Sequence, residues 1–183
     1  VTVSGYFSMG VGSHERMRYY ADWTEANHAV TGSGSTIKAL CVSIGATKKA
    51  TIVIGHTGTT DTTTYATAAN MDLSTYSNIM FEFENGALLS VLGGTTVTFP
   101  SPSNIVASPN QQIFSGSGTV AFGAKGTVYA EWWGADPLGT ADSTSALDKA
   151  IEAGGLLWCT PGATYKIDTS IASSLVDVHI EGN

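Results

Sequence analysis

From Ala50 onward, apolar and polar positions alternate along the chain. Ile52 and Ile54 alternate with Thr51 and Val53, and Ile79, Phe81 and Phe83 alternate with Met80 and Glu82. Neighbouring residues of a strand face opposite sides, so each run predicts a strand with one apolar face. Apolar centres then recur every eight residues, at Phe81, Leu89, Val97, Ile105, Ile113, Ala121 and Tyr129. The intervals hold turn formers: Asn85-Gly86, Gly93-Gly94, Pro100 and Pro102, Pro109-Asn110, and the glycines at 116–118 and 123–126. Two architectures fit short strands at this spacing. A sandwich reverses direction at hairpins, and Asn85-Gly86 is a strong tight-turn signal. A solenoid with three strands per coil, ~24 residues per turn, needs corners instead. Periodicity leaves the two open.

Upstream the pattern is helical. Tyr20, Trp23 and Ala26 or Asn27 share one face, with Thr24 and Glu25 turned away. After the break at Gly32-Ser33-Gly34 come Ile37, Leu40, Cys41 and Ile44, spaced i, i+3, i+4, i+7, and Gly45 ends that helix. Residues 1–16 are rich in Gly and Ser, with Tyr6 and Phe7 as their aromatic groups, and read as an arm or linker. Residues 17–47 read as a short helical segment for attachment or oligomer contacts, and 48–183 as the main β unit.

A third helical pattern interrupts the strands after Tyr129. Asp142 can cap it, with Ser143 and Thr144 in the first turn. Ala146, Leu147, Ala150 and Ile151 form an apolar stripe, and Gly154-Gly155 stops it. The expected helix covers 142–153, and strand patterns resume at Leu156, Tyr165 and Val176. One amphipathic helix among strands has one face to bury. The open end of a β-solenoid exposes core side chains and unpaired backbone, so it needs such a plug. This favours the solenoid, with Asp142, Leu147, Ala150, Ile151 and Gly154 as the structural cap.

Composition narrows the function. Only 13% of the 183 residues are charged, about half the globular average, and the net charge is −7. Residues 1–50 carry five Lys/Arg against three Asp/Glu, and residues 51–183 carry three against twelve. A nucleic-acid or anionic-membrane binder needs the opposite balance, so neither partner is expected. The longest nearly apolar run, 39–44, is far short of the ~20 residues of a membrane span. The first residue is Val and no signal peptide is visible, so a processed, trimmed or partial chain is expected.

Candidate chemistry is sparse. Cys41 and Cys159 lack metal-site spacing and read as buried free thiols. His14, His28, His56 and His179 show no HxxxH or HxH spacing, so no metal site is expected. No cofactor is expected either: the glycine clusters at 32–34 and 116–118 lack the strand-to-helix setting of a phosphate loop and read as corners. There is no GxSxG elbow. Glu82 and Glu84, at i and i+2, suit paired-carboxylate chemistry if both stand on one strand face. The plainer reading is a solvated face. Asp72 and Asp168 are scattered acids, and Asp177, His179 and Glu181 form an outward stripe. Asp136 to Asp142 has acids at both ends like a calcium loop but lacks the middle acids and the final Glu, so it reads as a turn and helix cap. Trp132, Trp133 and Trp158 can stack on sugars. On a strand the tandem pair points to opposite faces, one into the core and one toward a sugar or a subunit.

The string Glu131-Trp132-Trp133-Gly134-Ala135-Asp136, then Gly139, Asp142-Ser143-Thr144, Ala146-Leu147 and Ala150-Ile151, resembles a known opening, as do Pro161-Gly162-Ala163-Thr164-Tyr165 and Val178-His179-Ile180-Glu181-Gly182-Asn183. It is similar to the start of the pectate-lyase-like family of right-handed parallel β-helices, used in phage tailspikes and secreted polysaccharide-degrading enzymes. Residues 19–23, read as a helix, and 112–123 are similar to phage-type members. The resemblance implies a mainly β fold: a right-handed parallel β-helix with an N-terminal helical or arm segment and one amphipathic capping helix. It implies the N-terminal capping and assembly portion of a tailspike-like, polysaccharide-recognising protein, outside the cell or on a virion surface. The implied partners are its own copies, with a homotrimer favoured, and a cell-surface polysaccharide. In such proteins the Trp-Gly-Ala segment and the helix are architectural, and paired acids lie on later coils. No catalytic residue is therefore carried over. Either further chain or another subunit is expected to cover the end at Asn183. The alternatives are a fragment of a polysaccharide lyase or glycoside hydrolase, with its catalytic coils downstream, and a self-assembling extracellular filament subunit.

Overall fold

The computed structural model describes residues 17–21, 36–55, 64–67, 69–154, 156–171 and 179–181. The arm at 1–16, Trp23, the glycines at 32–34, His14, His28, His56 and Asp177 lie outside the described residues.

The chain begins with β1 (Met17–Tyr20), α1 (Thr36–Ile44), β2 (Ala50–Ile54), β3 (Thr64–Thr67) and β4 (Met71–Asp72). It continues through β5 (Ile79–Phe83), β6 (Leu88–Val91), β7 (Thr96–Phe99), β8 (Ile105–Val106), β9 (Phe114–Ser115) and β10 (Thr119–Phe122). Then come β11 (Thr127–Tyr129), β12 (Leu138–Asp142), α2 (Thr144–Glu152), β13 (Leu156–Trp158), β14 (Thr164–Lys166) and β15 (His179–Glu181). The fold is mainly β, with few helices.

Every strand pairing among the described residues is parallel. Two-residue hairpins join only antiparallel strands, so the sandwich alternative is excluded. The sheets are short: β1-β2-β5-β8, β3-β6-β9, β4-β7-β10, β11-β13-β15 and the pair β12-β14. From β2 to β10, consecutive strands enter the first three sheets in rotation. Register stacks the core: Ile52, Phe81 and Ile105 in the first sheet, Tyr65, Leu89 and Phe114 in the second, Met71, Val97 and Val120 in the third. All nine are buried, and partners in a column lie 23 to 29 residues apart. The inward faces meet through aromatic contacts, with Phe81 edge-on to Phe99 at 5.0 Å and Phe83 edge-on to Phe114 at 5.7 Å. Each such buried side chain contributes about 1.5–3 kcal/mol.

One local expectation holds in a new setting and two need correction. Asn85-Gly86 does form a tight turn, with Gly86 at φ 87° and the Ala87 N–H donating to the Glu84 carbonyl at 3.0 Å. It is a corner between two sheets, because β5 and β6 do not pair. Ile113 lies one residue outside β9, although its backbone is engaged: it donates to Trp132 O at 3.0 Å and accepts from Leu89 N at 2.8 Å. Tyr19 and Tyr20 belong to strand β1 rather than a helix, because backbone pairing with Ile52 and Val53 holds them extended.

The second expected helix is present as α1, with Ile37, Leu40, Cys41 and Ile44 buried and the Gly45 N–H donating to Cys41 O at 2.9 Å. It packs on β2, and Lys38 Nζ donates to the Asp72 carbonyl of β4 and lies over the Tyr76 ring. At the other side, α2 packs on a 3-10 turn at Ala130–Trp133 and on β10. β4 and β10 are the two edge strands of one sheet: α2 packs on β10, and α1 reaches β4 through Lys38. No helix among the described residues is long and apolar enough to cross a membrane.

Asparagines fasten successive corners. Asn78, just before β5, donates through Nδ2 to Gly45 O at 2.9 Å and Lys48 O at 2.6 Å. Asn104, just before β8, donates to Ser77 O at 3.0 Å and Ile79 O at 2.8 Å. Asn104 is buried, so truncation leaves carbonyls without a donor. We expect Asn104→Ala to cost about 1–3 kcal/mol in chemical denaturation. Ser103→Ala, at the exposed neighbour, is expected to stay within ~0.5 kcal/mol.

Candidate functional site

The segment Glu131-Trp132-Trp133-Gly134 lies at the junction between the first three sheets and the last two. It folds as the 3-10 turn Ala130–Trp133, closed by Gly134, whose N–H donates to the Ala130 and Glu131 carbonyls. The expected strand would have sent the two indoles to opposite faces. A 3-10 turn places successive side chains about a third of a turn apart, so both are turned inward. Trp132 is 3% exposed and Trp133 8%. Trp132 Nε1 donates to Ser108 O at 3.2 Å, and the Trp133 ring lies 5.1 Å from that of Phe114. Neither offers an open ring face, and the expectation that Trp132 or Trp133 is a sugar platform is corrected accordingly.

Glu131 was not singled out as a chemical group by the sequence, yet it is 2% exposed. Its Oε1 accepts from the Tyr165 hydroxyl at 2.5 Å, while Oε2 is buried with no hydrogen-bond partner. The Thr160 N–H donates to the same tyrosine oxygen at 3.2 Å. This clasp ties the turn to β14. Burial, then the bond to Glu131, pushes the Tyr165 phenol up to about 12. Burial, then the Glu131 charge, raises the Cys159 thiol. The one available signal was an acid set directly between apolar Ala130 and two tryptophans.

The expected helix is present as α2, but it starts at Thr144 rather than 142 and Asp142 is not its N-cap. Asp142 ends β12, and Ser143 is the residue that precedes α2. Asp142 Oδ1 accepts from the Thr144 hydroxyl at 2.5 Å and the Thr144 N–H at 3.0 Å, which hold its carboxyl below the usual range. Ser143 Oγ instead accepts from the Asp136 N–H at 2.9 Å. Leu147, Ala150 and Ile151 are buried, and the Gly154 N–H donates to Ile151 O at 3.1 Å. The Asp136 carboxylate collects the Thr140 hydroxyl and the N–H groups of Ala141, Thr140 and Leu138, which lower its pKa strongly. Both acids of the calcium-like loop thus serve as local acceptors.

The other candidates do not converge. Glu82 makes a two-pronged ion pair with Arg18, both contacts 2.8 Å. Glu84 lies beyond β5, with its carboxylate against Gly55, where an added Cβ would collide with Oε2. Asp72 accepts from the Ser74 N–H, and Asp168 pairs with Lys166 at 2.8 Å. Cys41 and Cys159 are both free thiols. Cys41 is buried and its thiol is pushed up to about 12 by desolvation, while Cys159 is half-buried. Among the described residues no group of three or more His, Cys, Asp or Glu is placed to hold a metal ion. His179 and Glu181 lie on β15.

One concave feature has the right chemistry for binding. β8 pairs with β5, but no ladder joins it to β11 among the described residues. A groove of about 290 Å3 lies there, lined by Pro102, Ile105, Ala107, Thr127, Tyr129 and Trp132, with exposed Ser103 beside them. The Tyr129 and Trp132 rings are 5.1 Å apart and tilted by 58°. Val128 and Leu157 are buried, so Tyr129 and its register partner Trp158 share the opposite, outer face. Trp132 lines this groove with almost no exposed ring and forms no open platform.

Comparison with known proteins finds no matching family model, no matching curated protein and no matching solved structure.

Two measurements probe the junction. Leu147→Asp places an unpaired charge against the 3-10 turn and is expected to lower stability by several kcal/mol in urea denaturation. Tyr165 ionises near 10.0 in the unfolded chain and near 12 in the folded one. Its stabilisation is thus complete below pH ~10 and lost as pH rises toward 12. Alkaline titration of stability is expected to fall across that window, and Tyr165→Phe to flatten the fall.

Proposed function

We propose that the chain is the N-terminal capping and assembly portion of a right-handed parallel β-helical protein of the tailspike-like kind, working outside the cell or on a virion surface and recognising polysaccharide. The supporting observation is the rotation of consecutive strands through three parallel sheets, with α2 packed on the edge strand β10 of one of them and α1 packed on β2 and tied to β4 by Lys38. A stack of parallel strands exposes unpaired backbone at both ends, and helices laid there make an assembly start in one place. The resemblance of 131–183 to the opening of pectate-lyase-like proteins supports the same reading. The enzymatic alternative has less to stand on here, since Glu82 is held by Arg18 and Glu84 packs on Gly55.

Assembly is expected to be homotrimeric. Leu138 is 79% exposed and Ile167 49%, on and just beyond the short β12–β14 pair, and such apolar groups are suited to burial against another copy. Sedimentation equilibrium at high protein concentration is expected to give a trimer. Leu138→Glu is expected to shift it toward monomer without altering the circular dichroism spectrum. A strict monomer for the unaltered chain would overturn the assembly role.

A further inference from the structure

We propose that the groove between β8 and β11 binds one ring of a neutral saccharide, and that the next ring lies along Trp158. The inference deepens the polysaccharide-recognition part of the function proposed above and rests on it.

The occupant follows from size, shape and charge. Inserting a peptide strand between β8 and β11 would require two strand spacings of about 4.8 Å each. The backbone is too close for that at one end: a Cβ on Gly126, beside β11, would meet three Pro102 ring carbons at 3.2–3.3 Å. The volume of about 290 Å3 sits at the small end of ligand sites, which start near ~300 Å3. It suits a single compact ring rather than a helix or a lipid chain.

A sugar ring has an apolar C–H face and a rim of hydroxyls. Tyr129, partly open to solvent, supplies the aromatic surface, and the hydroxyls of Ser103, Thr127 and Tyr129 can each donate and accept at the rim. Among the described residues no Lys, Arg, His, Asp or Glu lines the groove. Residues 51–183 carry twelve acids against three bases. A uronate would therefore meet no cation and an adverse field. Neutral sugars incur neither cost, and this separates the groove from any site for acidic polysaccharide. The path beyond the groove follows from register, since Tyr129 pairs with Trp158 on the outer face of β11 and β13.

The full chain is titrated with maltohexaose, cellohexaose and mannohexaose, and with hexagalacturonate as the acidic comparison. Intrinsic tryptophan fluorescence and saturation-transfer NMR are the readouts. At least one neutral probe is expected to bind saturably, with an affinity insensitive to salt. Trp158→Ala and Ser103→Trp are each expected to weaken it tenfold or more. Ser103 is exposed, so its replacement fills the groove without disturbing the core, and unchanged circular dichroism checks the fold. The proposal is overturned if no neutral probe saturates, if hexagalacturonate binds more tightly than all three, or if Ser103→Trp leaves the affinity unchanged. A trimer that binds no neutral probe overturns the groove and leaves the assembly reading standing, and a strict monomer that binds one does the reverse.

Discussion

Parallel backbone pairing is the constraint from which the rest of this structure follows. A parallel neighbour cannot be reached by a tight hairpin, so the chain must travel before it returns. Here it travels through other sheets: between β5 and β8 it forms β6 and β7. Three inward faces consequently share one core, and Phe81, Phe99 and Phe114 meet in it although they belong to three different sheets. The vulnerable places are where ladders stop. α2 packs on one of them, α1 reaches another through Lys38, and the space between β8 and β11 is a third, left concave.

The polar groups inside the fold work at the same boundaries. Asn78 and Asn104 occupy equivalent places before β5 and β8, and each gathers two carbonyls from the preceding stretch of chain. Low local polarity strengthens such bonds and makes their absence costly. Glu131 differs, because only one of its oxygens has a partner. A well-packed apolar residue would serve stability as well or better. What the carboxylate adds is direction: it accepts the Tyr165 hydroxyl and so orients β14 against the turn that carries Trp132 and Trp133.

Much of the β framework was legible in the sequence because burial alternates with position. The inward residues of β5, β6 and β7 are the apolar members of period-two runs, and the helices α1 and α2 show their buried stripes at helical spacing. Other features were hidden for physical reasons. Asn85-Gly86 dictates a local turn but carries no information about which strand the next one will pair with. Four residues of β1 are too few to separate a strand from one turn of helix, and pairing with β2 decides the matter. The alternation rule failed at Trp132 and Trp133 because the backbone there is 3-10. The groove and the Glu131–Tyr165 clasp join residues far apart in the chain, so no local pattern announces them.

The attachment of β1 has its own character. Arg18 reaches past β2 to Glu82 on β5, with both side chains partly open to solvent. The inner strands are held mainly by buried area, which salt hardly weakens, whereas part of the grip on this outermost strand is a screened charge contact. Rising ionic strength thus loosens the margin of the first sheet before its middle. That margin is the part of the first sheet whose hold varies with the surrounding electrolyte.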